Sequence, residues 1–521
     1  MLKNFKVTLN LNYFSIGLFI TYLIYFFYIN LKFFQLPIVE DHAFRQTQTA
    51  ITAYYFVKNG FSLAYETPVL GQSWSIPFEF PIYQILVAWI SQLTNLDLSK
   101  TGRFLNLFFT TLTCIPFYFS LKVLKINTVA IFFSLTLFIS SPIYSFWAGT
   151  FMIEGAALFF ATSFFYYCQV ITYANPKNRD YVFLSFFLAA ALLQKVTTVL
   201  PVLIVMSILY LLHFYNSPKK SISSFIKVCL AILFPLVIGY LWNEYSDTIK
   251  LQNALGEGLT SKAMFSWVYG SLADRISSKL WLDVIYNRNI VQSSCYFIGL
   301  FFIFLSLFFL KDRCVKRTIF IFLSLFLVPF LVFSNLHIRH NYYQISNSIY
   351  FSAAVGISVV YLLDSYRQIF GYFYKLAVTI IFSIFIYYNY AFFVSGVLQN
   401  KIWAPNSDIK LTLQLTNFVK ANTPVDSVAI WLTKMGWSSE FAFFAERKSL
   451  TWENNGPLAL DMITHWNKYL SKKPSAIIFC ESENQISNNE FYASIKNHFS
   501  DYSLKKIGDC SIFYSPLSIS N

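Results

Sequence analysis

Long apolar runs separated by short polar links repeat from near residue 13 to near residue 395. A helix needs about 20 apolar residues to cross the hydrocarbon core of a bilayer. Runs near 13–31, 104–121, 128–146, 154–173, 181–194, 196–214, 223–242, 291–310, 318–335, 346–363 and 376–395 meet or approach that length, which predicts about eleven transmembrane helices. The segment 81–95 (PIYQILVAWISQLTN) is shorter and ends in a polar link holding Asp97, Lys100 and Arg103. Charge decides its placement. If it lies along the outer interface, every basic link falls on one face: Lys3 and Lys6, Lys122 and Lys125, Lys177 and Arg179, Lys219 and Lys220, Lys311 to Arg317, Arg367 and Lys375. That face is then the cytoplasmic one, and 81–95 reads as an amphipathic juxtamembrane helix.

After about residue 400 the pattern changes to short β-type runs (Ser427 to Leu432, Ala476 to Cys480, Ser511 to Tyr514) between helical stretches at 409–421 and 487–498. This alternation predicts a small α/β domain. The expected organisation is a transmembrane domain over 1–399, whose outer loop 36–103 carries juxtamembrane helices, followed by an extracytoplasmic α/β domain over 400–521. The N-terminus is expected in the cytoplasm, behind a retained signal anchor, because no small-residue cleavage site follows the first apolar run before Asp41.

Composition agrees. Hydrophobic residues make up 56%, aromatics 20% and charged residues 12%, with a mean hydropathy of +0.51; globular domains carry about 25% charged residues. The net charge of +14 is carried mostly by the basic links, so it argues for membrane orientation and against a nucleic-acid partner. The seven cysteines show no C-x-x-C spacing and no zinc or redox motif. Cys480 and Cys510 are read as a disulfide or as buried thiols. The predicted spans carry almost no ionisable residues, which counts against a pump or ion-coupled carrier.

Charge gathers instead on the predicted outer face. Glu40, Asp41 and His42 follow the first span closely; Asp41 is a candidate general base, a helix cap, or both. Arg45 suits a phosphate, a bond to Asp41 or a lipid headgroup. Glu79, in PFEFP, reads as a site-supporting acid or an exposed interfacial one. Glu154 opens an uncharged span, where the helix dipole favours it and where it would share an outer plane with Asp41. Lys195 sits at an outer turn as a snorkelling lysine or as a cation awaiting an anion. The link from His337 to Gln344, containing Arg339, His340 and Tyr343, is an ordinary polar turn or a site for a phosphate-bearing ligand.

In their order these residues resemble a known family. Glu40-Asp41 with FRQTQTA, Glu79-Phe80-Pro81 with Tyr83-Gln84, Arg103, Phe151-Met152-x-Glu154, Gln194-Lys195 and the HxRHxYYQ link resemble the membrane glycosyltransferases of the GT-C fold. The similarity is greatest to the protein O-mannosyltransferase-like group and the aminoarabinose transferases of lipid A, over roughly residues 10 to 400. The resemblance implies a sugar transfer from a polyprenyl-phosphate donor to a lipid, glycan or protein acceptor at the outer face of a bacterial cytoplasmic membrane, with inversion. It implies Asp41 or Glu40 as the base and Glu154 as a second catalytic acid. Glu79, Arg45, Tyr83, Lys195, His337, Arg339, His340 and Tyr343 would then contact the substrates. No cofactor and no tightly bound metal are expected. The sequence departs from the family pattern in the Glu-Asp order at 40–41 and in Gln344, which stands where relatives carry an apolar residue. Two other readings stay open: an oligosaccharyltransferase or ligase with a pyrophosphate donor, and a flippase or transporter for lipid-linked sugars.

Overall fold

Apolar runs become helices here because a bilayer offers backbone groups no partner other than their own helix. The computed structural model describes residues 10–217, 221–402, 407–481 and 489–515. Lys3, Lys6, Lys219 and Lys220, and the first two residues of the helical stretch expected at 487–498, lie outside the described residues. Among the described residues, eight helices are long and apolar enough to span a membrane: Leu11–Phe33, Leu98–Val123, Glu154–Tyr173, Asn178–Asn216, Ile222–Lys250, Arg313–Val332, Ser348–Ser365 and Tyr374–Gly396. The protein is a multi-pass helical membrane protein with a small sheet. Its contacts divide into two units, one of Met1–Gln35, Arg103–Tyr240 and Phe265–Asn400, the other of Leu36–Gly102, Leu241–Met264 and Lys401–Asn521.

In the first unit, the helix Thr128–Ser140 packs against both Leu11–Phe33 and Ser348–Ser365, and nearly all of its side chains are buried. The uninterrupted span expected over 128–146 is not found. Proline lacks an N–H and starts helices well, so the chain breaks at Ser141 and restarts as Pro142–Trp147. The span expected over 291–310 is shorter too, with a helix only over Ile298–Phe309 preceded by a wide-turned segment Lys279–Val291.

Asn178–Asn216 is helical throughout except at Lys195, whose backbone is extended (φ −168°, ψ 97°). Lys195 reaches Glu154 at the start of the helix Glu154–Tyr173, whereas His213 lies 5.8 Å, ring to ring, from Tyr173 at its end. Asn178 follows Tyr173 by only a few residues. The chain therefore rises to Lys195 and turns back, as two antiparallel arms that share Lys195 as their turn.

In the second unit, five strands, β1 (Val428–Thr433), β2 (Lys448–Glu453), β3 (Ala476–Cys480), β4 (Ser503–Ile507) and β5 (Cys510–Tyr514), form a sheet of order β2-β1-β3-β5-β4. β1 pairs in parallel with β2 and β3, while β5 runs antiparallel to β3 and β4. β1 is buried on both faces, Ile430 and Leu432 entering one apolar cluster and Trp431 the other. That explains its uninterrupted apolar sequence. Cys480 and Cys510 are register partners and are joined by a disulfide.

This unit reaches well beyond the 400–521 stretch read from composition. Ser449 and Thr451 of β2 donate backbone bonds to Pro68 O and Val69 O at 3.0 and 2.9 Å, and Gly71 N donates to Ser449 O at 3.1 Å. Residues 68–71 thus run along the outer edge of β2. Gly71 has φ +76°, and a Cβ there would stand 2.6 Å from Tyr469 O, so the edge pairing needs glycine. The loop expected to belong with the spans packs instead with the sheet. The segment read as a juxtamembrane helix forms the helix Ile82–Thr94, with Trp89 and Leu93 exposed.

Candidate functional site

In the first unit, Glu154 begins a helix whose amino end is braced by Asn106. The Asn106 amide donates to Trp147 O (2.7 Å) and Thr150 O (3.0 Å), and its carbonyl oxygen accepts from Gly155 N at 2.9 Å. A Cβ on Gly155 would lie 2.4 Å from that oxygen, so glycine is needed for the approach. Arg103, wholly buried, donates to Gly149 O at 2.9 Å in the same turn. Both contacts hold the loop that presents Glu154.

Lys195 Nζ lies 2.5 Å from Glu154 Oε1, with side-chain exposures of 9% and 3%. The snorkelling reading fails because the ammonium is turned inward and paired. It also stands over two aromatic rings, 4.1 Å from the Tyr343 centroid and 5.0 Å from that of Tyr342. Ring faces attract a cation without accepting a directed proton. Among the described residues, Glu154 Oε2 has no hydrogen-bond partner. The pair thus retains unused bonding capacity on both sides.

The 337–344 link wraps this cage. The His337 ring is buried, 4.5 Å from Phe330 and 6.0 Å from Tyr343. Burial, and secondarily the Lys195 charge, pull its pKa down to about 3. His337 is therefore neutral at ordinary pH, and the expectation of a phosphate-binding cation at that position is corrected. Gln344, the departure from the family pattern, donates to His337 O at 3.1 Å and so fixes the turn. His340 stands between Trp267 (6.2 Å) and Tyr342 (5.3 Å). Arg339 is exposed, 5.8 Å from the Trp267 centroid, with Nε 3.4 Å from Asn335 Oδ1. Glu154, Lys195, His337, His340 and Tyr343 are thus brought together, while Arg339 lies on Trp267.

In the second unit, His42 and not Asp41 occupies the N-cap of the helix Ala43–Asn59, in left-handed conformation (φ 55°) and without a side-chain cap bond. The cap reading of Asp41 is corrected: it stands one residue outside the helix, its side chain 29% exposed, beside the buried Glu40. Arg45 Nη2 bonds Glu79 Oε1 at 3.0 Å and Nη1 bonds Gln48 at 2.8 Å, while Gln84 donates to the same Glu79 oxygen at 3.2 Å. The exposed-acid reading of Glu79 is thereby excluded. Tyr65 donates to Glu79 O at 2.8 Å. Tyr83, fully buried, donates to Gly102 O at 2.5 Å. Ser439 Oγ contacts both Phe44 O and Thr47 Oγ1, pinning the first turn of the helix that follows Glu40 and Asp41.

Sequence reasoning missed Asn106, Tyr342 and Arg288, whose Nη1 points at His337 O (3.5 Å) and Ile338 O (3.4 Å). An asparagine inside the apolar run 104–121 was a visible cue. Arg288 offered none.

No family model matches the chain, and no curated protein matches it. Solved structures do. ArnT from Cupriavidus metallidurans bound to undecaprenyl phosphate is 9% identical, with a TM-score of 0.63 over 97% of this chain and 99% of that one. The archaeal oligosaccharyltransferase AglB from Archaeoglobus fulgidus, in complex with an inhibitory peptide and a dolichol-phosphate, is 12% identical, with a TM-score of 0.58 over 98% and 75%. The arabinofuranosyltransferase AftD from mycobacteria is 10% identical, with a TM-score of 0.53 over 97% and 40%. The chain has the fold of the GT-C membrane glycosyltransferases.

Proposed function

We propose that this protein is a glycosyltransferase that moves one sugar from a polyprenyl-phosphate donor to an acceptor at the outer face of a bacterial cytoplasmic membrane, with inversion. The proposed topology has eleven crossings, a cytoplasmic N-terminus and residues 400–521 outside. The Cys480–Cys510 disulfide supports an oxidising compartment for that domain. The likeness in fold to ArnT, solved with undecaprenyl phosphate, and to AglB, solved with a dolichol-phosphate, supports a lipid-phosphate donor.

The observation that carries the reading is the Lys195 cage: a buried ammonium held by Glu154 and two tyrosine faces. In the reaction, the bond from the anomeric carbon to the phosphate oxygen breaks and a bond to the acceptor oxygen forms. The acceptor proton passes to Asp41, or to Glu40, as general base. The polyprenyl phosphate leaves with the electron pair, and Lys195, assisted by Arg339 and His340, stabilises its charge. Glu154 holds Lys195 until the phosphate arrives, and Tyr343 orients it. Arg45, Glu79 and Tyr83 shape the segment that presents the base. The test is transfer from labelled polyprenyl-phosphate sugars in membranes carrying Asp41→Asn. Unchanged transfer by a correctly inserted D41N protein, with E40Q equally active, sinks the assignment of the base.

The oligosaccharyltransferase AglB shares the fold, which keeps one second reading in view: an oligosaccharide transfer that uses a pyrophosphate donor and a divalent metal. Loss of transfer on chelation, restored by metal, would select it.

A further inference from the structure

A cleft of about 320 Å³ in the second unit takes no part in the chemistry proposed above. It is lined by the buried Tyr55, Ser427 and Val428, by Trp74, and by Lys58, Lys448 and Lys472 toward solvent. Val428 and Lys448 are register partners at the starts of β1 and β2, so the cleft opens at the amino-terminal edge of the parallel strands. Ligands of open α/β sheets ordinarily gather at the opposite edge. This cleft exists because residues 55–74 of the preceding loop build its other wall.

Its charge is arranged in two sets. Lys448 Nζ lies 2.5 Å from Glu66 Oε1 and stands 5.4 and 5.5 Å from the Tyr55 and Trp74 ring centroids. Lys58 Nζ lies 3.0 Å from Asp426 Oδ1, and Lys472 donates to the Asp426 backbone oxygen. The Asp426 side chain is 84% exposed, so water can take it away from Lys58 at little cost. Ser427 is only 5% exposed, and among the described residues its hydroxyl has no hydrogen-bond partner. A buried hydroxyl left without a partner loses free energy unless something meets it.

The volume is far larger than one anion needs, and the lining mixes aromatic rings, the Asn59 amide and cations, the composition of a site for a small polar organic ligand. We propose that this cleft binds a saccharide bearing a phosphate or carboxylate: Lys58 exchanges the Asp426 carboxylate for the anion, Lys472 adds its charge, Ser427 meets a ligand oxygen and the aromatic lining covers the sugar ring. The site does not rest on the transfer reaction, because binding is read directly and either proposal stands if the other fails.

The test is calorimetric titration of the full chain in lipid nanodiscs with glucose, inorganic phosphate, glucose 6-phosphate and glucuronate. At least one of the two anionic sugars should bind about tenfold or more tighter than either glucose or phosphate. The double variant K58A/K472A, altering two solvent-facing side chains, should lose that gain without a change in melting temperature, and S427A should weaken binding by a few fold. Equal binding of glucose and both anionic sugars, an inorganic phosphate affinity matching theirs, no binding at all, or an unchanged affinity in K58A/K472A would each overturn the proposal.

Discussion

Two charge pairs withdrawn from solvent behave differently in this molecule. Arg45–Glu79 in the second unit is surrounded by further donors and acceptors, Gln48 on the guanidinium and Gln84 on the carboxylate. Lys195–Glu154 in the first unit has ring faces where Arg45 has an amide, and Glu154 Oε2 has no partner among the described residues. Burial of charge is common to both; unspent bonding capacity belongs to one. The first arrangement is a brace that fixes a loop. The second is the pair that the proposed reaction uses, with Lys195 taking the charge of the phosphate leaving group.

The comparison is broken most directly at Lys195. In K195M, transfer should fall by about 10²–10³ fold, the loss expected for a missing charge stabiliser. Stability should fall as well, because Glu154 would be left buried without its partner. The double variant K195M/E154Q should recover melting temperature and not activity. If K195M transfers sugar at the native rate in a folded protein, the two pairs do not differ in function.

Of the same order is Asp41→Asn, expected to cost about 10²–10⁴ fold in transfer rate with an unchanged melting temperature, since the Asp41 side chain is partly exposed and stands outside the N-cap position that His42 occupies. Arg45→Met tests the brace. It should destabilise by roughly 2–4 kcal/mol through the orphaned Glu79, measured by thermal unfolding, while KM for the donor stays native in the protein that remains folded.

The smallest expected effects are in pH dependence, and two groups, buried His337 and half-buried Glu440, pull in opposite directions. His337 has its pKa lowered to about 3, from an ordinary value near 6.5. Below about 6.5 the unfolded chain binds the extra proton, so His337 costs stability progressively as pH falls toward 3. Replacing it with Phe should flatten that acid limb. Glu440, at the start of the short helix Ser439–Ala445, has its pKa raised to about 7, chiefly by burial. Between the ordinary carboxylate range and about 7 the folded chain holds the extra proton, so stability falls as pH rises through that window. Glu440→Gln should raise the melting temperature at pH 8 and leave it unchanged at pH 4, a gain of about 1–3 kcal/mol. Equal shifts at both pH values would contradict the assignment.

Much of the fold could be read along the chain because a bilayer imposes a length and a polarity on each crossing. The turn at Lys195 was legible for the same reason: a charge between two apolar runs has few places to go. The break at Ser141 was not, since Ser-Ser-Pro interrupts the helix without interrupting hydrophobicity. β2 was missed because KSLTWE begins and ends polar, and its middle becomes a strand only through pairing with β1 and with residues 68–71. At the site, the residue types were legible and their partners were not. Glu154 and Lys195 are separated by 41 positions and Arg45 and Glu79 by 34, so only the folded chain reveals who meets whom. His337 was misread because its protonation depends on Phe330 and Lys195, neither of which is its sequence neighbour.

The pairing of residues 68–71 along β2 also sets a schedule for biogenesis. A ribosome adding about 5–20 residues per second completes the first loop tens of seconds before the strand it borders has been made. Until then the segment carrying Glu40 and Asp41 lacks the surface it packs on. A chain truncated before β2 would leave Glu40 and Asp41 without that support, so competence for the proposed transfer would be acquired only near the end of synthesis.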